Sequence, residues 1–195
     1  RPGLAVRGGT PFTTPWRVLM IGDSPGVLIE STLLYNLSDP SRIADTAWIK
    51  PGKAAWDWWS GRQLPGATFK TGMNNDTMKA FIDLAGEYGF EYMLIDARWS
   101  GYSYDTTVDI TRSIPEIDVP GLVAYGRERK VGVMLWLNWE NVRDQIDVAF
   151  PLYEKWGVRG IKIDLIDRKD QEIVAFYERV LKTAAKCHLL VDFHY

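Results

Sequence analysis

The sequence predicts an α/β protein, the N-terminal portion of a (β/α)8 TIM-type barrel comprising about five β/α units. Three observations carry that prediction. From Gly52 onward, short apolar runs alternate with longer segments of helical period, the pattern of strands joined by crossover helices. Each such crossover returns the chain to the same end of the sheet, so the strands are parallel. The runs also end in polar side chains, and a barrel gathers its strand ends at one face.

Residues 1–50 read as a lead-in segment, with an apolar stretch from Trp16 to Gly22, a turn at Pro25-Gly26 and a polar loop from Ser38 to Asp45. The chain begins Arg1-Pro2-Gly3 without Met or an apolar signal region, so the N-terminus reads as trimmed or processed. Residues 51–195 hold the five units. The first run is Ala54 to Trp59, and Asn74-Asn75-Asp76 then offers a cap to a helix carrying Met78, Phe81, Ile82 and Ala85 at three- and four-residue spacing. Gly89 stops that helix. The second run is Glu91 to Trp99, followed by a long loop, a helix over about 121–130 and the third run, Val131 to Trp139. A helix over about 142–156 ends at Gly157, Arg159 to Ile166 is the fourth run, Gln171 to Lys186 is an amphipathic helix, and His188 to His194 is the fifth run.

A doubly wound sheet is the competing architecture. It normally marks its first strand–helix turn with G-x-G-x-x-G, and the loop SGRQLPGATFKTG after Trp59 has no such motif. A complete barrel takes ~250 residues and eight strands, so a chain that stops on the fifth run reads as part of a larger protein.

Composition narrows the function. With 23 Lys+Arg against 25 Asp+Glu, the net charge of −2 argues against a basic nucleic-acid binder. The longest apolar runs, such as Val131 to Leu137, fall short of the ~20 residues of a membrane span. Cys187 is the only cysteine, which excludes an internal disulfide and leaves nothing resembling a zinc ligand set. Nine Trp suit either a core or the C–H faces of sugar rings, and their positions must decide.

Side chains two apart on a strand share a face. Lys162 and Asp164 therefore lie together, with Ile161, Ile163 and Leu165 opposite. The other runs bring Asp57 and Trp59, Asp96 and Arg98, Trp136 and Asn138, and Asp192 and His194 to the same rim. One such pair is equally well read as an interior ion pair, but five strands ending this way point to a site. Carboxylates, cations and amides bind sugar hydroxyls, indoles stack on the ring, and one carboxylate can attack the anomeric carbon. A metal site built from Asp96, Asp164 and His194 is the weaker alternative, because Lys162 and Arg98 would repel the ion.

From about Trp16 to the end, the sequence also resembles glycoside hydrolase family 97. The residues that carry the resemblance are Ala55 to Trp59 (AWDWW), Tyr92 to Trp99 (YMLIDARW), Val131 to Leu137 (VGVMLWL), Trp156 to Gln171 (WGVRGIKIDLIDRKDQ) and Asp192-Phe193-His194. The resemblance implies a (β/α)8 catalytic barrel and a retaining α-galactosidase, with α-glucosidase, β-L-arabinopyranosidase or a non-catalytic carbohydrate-binding barrel as alternatives. It implies that Asp164 is the nucleophile, with Lys162 as a substrate ligand whose charge keeps Asp164 ionised. Asp96, Arg98, Trp136, Asn138, His194 and Trp59 are the implied substrate-binding residues. Asp167, Arg168 and Asp170 lie in the turn into the next helix, and Asp170 is read as its cap.

The resemblance further implies an acid/base Glu on a later strand and a calcium ion. The calcium ligands would come from an N-terminal β-sandwich and later barrel strands, outside this chain. Expected partners are an oligosaccharide or α-galactoside substrate and the remainder of the parent protein, in a periplasmic or secreted setting. Neither nucleic acid nor a membrane span is expected.

Overall fold

The structure is a computed structural model that describes residues 7–14 and 16–194, so Arg1-Pro2-Gly3 lies outside the described residues. The chain forms two compact units, residues 1–46 and 47–195.

The first unit contains two short helices, α1 (Pro25–Glu30) and α2 (Leu33–Leu37), with no buried residue in either. The turn expected at Pro25-Gly26 is instead the start of α1. Proline fits there because its fixed φ suits the first helical turn, where its missing N–H would have no partner anyway.

The second unit holds β1 (Ala54–Trp56), α3 (Asn75–Glu87), β2 (Tyr92–Ile95), α4 (Val119–Glu128), β3 (Gly132–Asn138), α5 (Trp139–Trp156), β4 (Gly160–Asp164), α6 (Gln171–Lys186) and β5 (Leu190–Phe193). All five strands are parallel and lie in the order β1-β2-β3-β4-β5. A doubly wound sheet reverses direction at a switch point. This order never reverses, which is the winding of a (β/α) barrel.

All four helices of this unit open on an Asn or Asp cap. Asn74 accepts from the Thr77 N–H, Asp118 from Gly121, Asn138 from Glu140, and Asp170 from Glu172 and Ile173. Two helices begin earlier than their apolar period indicates. Helix α4 starts at Val119, with Pro120 in its first turn, and α5 starts at Trp139, directly off its strand. Helix α5 ends at Gly157, whose φ of +85° is the left-handed conformation that glycine takes at a helix C-terminus.

The core lies between sheet and helices. Met93, Ile95, Val133, Leu135, Leu137, Ile161 and Ile163 are all at most 1% exposed and pack with Phe81, Ile82, Leu122, Ile146 and Val180 from the helices. These strand residues alternate with a second row on the opposite face. In it Trp136 stands beside Lys162 and Lys162 beside Asp192, with Asn138 beside Asp164 one step further along. The sheet thus has one apolar face under the helices and one face carrying polar side chains toward the strand ends. No helix among the described residues is long and apolar enough to cross a membrane.

Candidate active site

A cleft of about 1130 Å³ opens at the C-terminal ends of the strands. That is the end at which parallel-barrel enzymes carry their chemistry.

Asp164, the last residue of β4, is its centre. Its Oδ2 accepts from Trp136 Nε1 at 2.9 Å, and its Oδ1 accepts from the Leu165 N–H at 2.6 Å. Leu165 has a φ of +65°, so the chain leaves the strand through a left-handed residue immediately after the carboxylate. Such backbone strain persists only where the surroundings enforce it. His194 Nδ1 lies 3.0 Å from Oδ1. An ionised carboxylate only accepts, so that nitrogen carries the hydrogen. Burial pushes the Asp164 pKa upward, but the hydrogen bonds from Trp136, His194 and Leu165 outweigh it and hold the carboxyl below its ordinary value.

Lys162 is 3% exposed. Its Nζ lies 3.2 Å from Asp96 Oδ2 and 3.7 Å from Asp164 Oδ2, and 4.3 Å from the centroid of the Trp56 ring. One buried cation therefore serves two carboxylates and leans toward Asp96. The indole, imidazole and amide donors do most to hold Asp164 ionised, a task expected of Lys162.

Asp96 is an acceptor on both oxygens. Oδ2 takes Trp56 Nε1 at 2.6 Å as well as Lys162, and Oδ1 takes the Ala97 N–H at 2.8 Å. A general acid must hold a proton to donate, and this carboxylate is surrounded by donors instead.

Trp136, Arg98, Asn138 and His194 all line the cleft with Asp164, Lys162 and Asp96. They are not equivalent. The Asn138 amide is already committed, its Oδ1 to the cap of α5 and its Nδ2 to the Ser103 carbonyl at 3.0 Å. Arg98, with a φ of +85°, lies with its guanidinium 5.8 Å from the Tyr102 ring centroid. Trp59 is 78% exposed and lies outside the cleft lining. Strand β1 ends at Trp56 and turns at Asp57, so the alternation that pairs Asp57 with Trp59 stops before it reaches them.

Trp56 itself went unassigned in the sequence. Its indole lies under Lys162, donates to Asp96 and stacks on Trp58 at 5.2 Å. Its position two residues before Trp58 in the AWDWW run is the only sequence signal for it.

The calcium implied by the resemblance finds no ligand set here. Among the described residues no three His, Cys, Asp or Glu groups converge, and the ammonium of Lys162 occupies the space between Asp96 and Asp164 that a cation would need. The described residues do not fit a metal ion.

The chain is similar to known proteins along nearly its whole length. Residues 3–40 match the family model described as glycosyl-hydrolase 97 N-terminal. The chain is 39% identical over 184 residues to a retaining alpha-galactosidase of Bacteroides thetaiotaomicron, covering 94% of this chain and 27% of that protein. A probable retaining alpha-galactosidase of Streptomyces bingchenggensis is 36% identical, with 94% and 28% covered. The chain thus spans about a quarter of the length of the curated relatives it matches. A solved glycoside hydrolase family 97 enzyme from Pseudoalteromonas sp. strain K8, in complex with panose, superposes with a TM-score of 0.74 at 26% identity, over 86% of this chain and 30% of that one. Residues 56–195, which hold every strand end described above, match the model described as glycoside hydrolase 97, and the chain belongs to that family.

Proposed function

We propose that these residues form the first five β/α units of the catalytic barrel of a retaining α-galactosidase, with Asp164 as nucleophile. The observation that carries the reading is the Asp164 carboxylate, held ionised at a strand end by Trp136, His194 and Leu165. The galactoside preference rests on the names of the two curated relatives. The α-glucosidase and β-L-arabinopyranosidase alternatives differ in the sugar that the cleft would hold.

In this mechanism an Asp164 oxygen attacks the anomeric carbon as the bond to the leaving oxygen breaks, giving a covalent glycosyl-enzyme. A second carboxyl group about 5 to 5.5 Å away protonates the leaving oxygen and then takes a proton from the attacking water. Asp96 is set among donors and does not suit that role, so the acid/base is assigned to a part of the parent protein beyond these residues. Lys162 and Asp96 form a charged floor for sugar hydroxyls, with Trp56 beneath the ammonium.

The test is a proton NMR time course on the full-length protein with an aryl α-galactoside. The α anomer of free galactose is expected first, and the β anomer appearing first would remove Asp164 from the nucleophile role. Asp164→Asn is expected to lower kcat by roughly 10³-fold or more. A variant that keeps near-normal turnover would instead mark the carboxylate as a binding group only.

A further inference from the structure

Beside the charged floor lies an ion pair between the fully buried Asp57 and the partly exposed Arg62, which also lines the cleft. Strand β1 makes its last rung at Trp56, beside Leu94. The chain then turns at Asp57, while the segment after β2 continues through Asp96 and Ala97 with no strand neighbour on that side. Backbone groups left unpaired in a buried place are costly.

Asp57 and Arg62 fill the gap. The Asp57 carboxylate, fully buried, accepts the Asp96 N–H at 2.8 Å on Oδ1. Arg62 Nη2 donates to the Ala97 carbonyl at 2.7 Å. The two side chains meet at 2.7 Å between Nε and Oδ2, a close charge contact that lacks the alignment of a hydrogen bond. The turn is tied as well, since the Arg62 N–H donates to the Asp57 carbonyl at 2.9 Å. Burial pushes the Asp57 carboxyl above its ordinary value, with Arg62 and the Asp96 N–H opposing.

We propose that Asp57 and Arg62 are positioning residues, a side-chain rung that replaces the missing strand and fixes the Asp96 carboxylate, and through it Lys162, at the floor of the cleft. Asp57 grips the N–H of Asp96 while Arg62 grips the carbonyl of Ala97, so the Asp96–Ala97 segment is held at both ends. The side chain leaving that backbone reaches Trp56 and Lys162. The inference rests on the glycosidase reading only for what Asp96 and Lys162 do to a sugar.

The experiment is a double-mutant cycle in the full-length protein, read with 4-nitrophenyl α-galactoside, α-glucoside and β-arabinopyranoside. Asp57→Ala and Arg62→Lys are each expected to lower kcat/KM by roughly ten- to hundredfold. In an Asp96→Asn background the same changes should cost about twofold or less, because the group they position is already gone. Losses that add in full across the two backgrounds would overturn the proposal, as would an Arg62→Lys effect confined to KM, which would make Arg62 a substrate ligand. Should Asp57→Ala fail to fold, Asp57→Asn and Arg62→Lys carry the same cycle.

If wild type turns over none of the three glycosides, the functional reading falls and hydrogen exchange decides the positioning. The Asp96 and Ala97 amides are expected to exchange faster in Arg62→Lys while those of α6 are unchanged. No acceleration there would overturn it.

Discussion

At the scale of single residues, the site turns on how one aspartate is kept ionised and another kept in place. Asp164 gains its lowered pKa from donors on three different elements, Trp136 on β3, His194 after β5 and the Leu165 amide after β4. A folded-state pKa below the unfolded value stabilises the fold above the unfolded pKa. That contribution is lost as pH falls through the lowered value. As the proposed nucleophile, Asp164 should therefore stay ionised to a pH below the ordinary aspartate value of 3.8. His194→Ala removes one donor, and the acid limb of kcat/KM is expected to move to higher pH while the fold persists. A limb that stays put would show that His194 does not tune the carboxylate. Lys162 and Asp164 were readable from the sequence because strand alternation brings both to one face. Trp56 was not, because its role depends on β1 turning away one residue later, which no periodicity shows.

At the scale of elements, α5 does more than cover the sheet. One face of it carries Asn141, Gln145 and Tyr153, with Asn138 as cap just before its first turn. These side chains hold the long β2–α4 loop through Ser103, Asp105, Val108 and Ile110. The loop that brings Ser103 and Tyr104 to the cleft is therefore fastened to a helix rather than free. Asn138→Ala removes both a cap and a loop anchor, and a loss of about 1 to 2 kcal/mol is expected in chemical denaturation. Asn138→Ser keeps a capping oxygen without setting a carboxylate against the Ser103 carbonyl and should recover part of that loss, and equal losses for both variants would show that the cap contributes little. The strands themselves were legible from their apolar runs, and the winding from their helical connections. Their ends were less so: the runs read at 54–59 and 91–99 stop at Trp56 and Ile95. Trp58, Trp59 and Trp99 continue past the point where backbone pairing ceases, and a turn held by Asp57 and Arg62 carries no hydropathy signal.

At the scale of the whole molecule, the five-stranded sheet has β1 and β5 at its edges, each paired on one side only. Unpaired strand edges are templates for association, and a closed barrel removes them. The apolar helix-facing side is satisfied within these residues, whereas the polar face carries Asp192 exposed on β5. The chemistry is divided in the same way: the structure supplies an ionised carboxylate with a charged floor beside it, and both oxygens of Asp96 are already engaged as acceptors. Residues 1–195 produced alone are therefore expected to fold their second unit, to self-associate through the strand edges, and to leave 4-nitrophenyl α-galactoside intact. Sedimentation velocity and a nitrophenol assay on the same preparation check both statements. Measurable hydrolysis by this segment would mean that a proton donor for the leaving group lies within it, and the division of the catalytic pair proposed above would have to be abandoned.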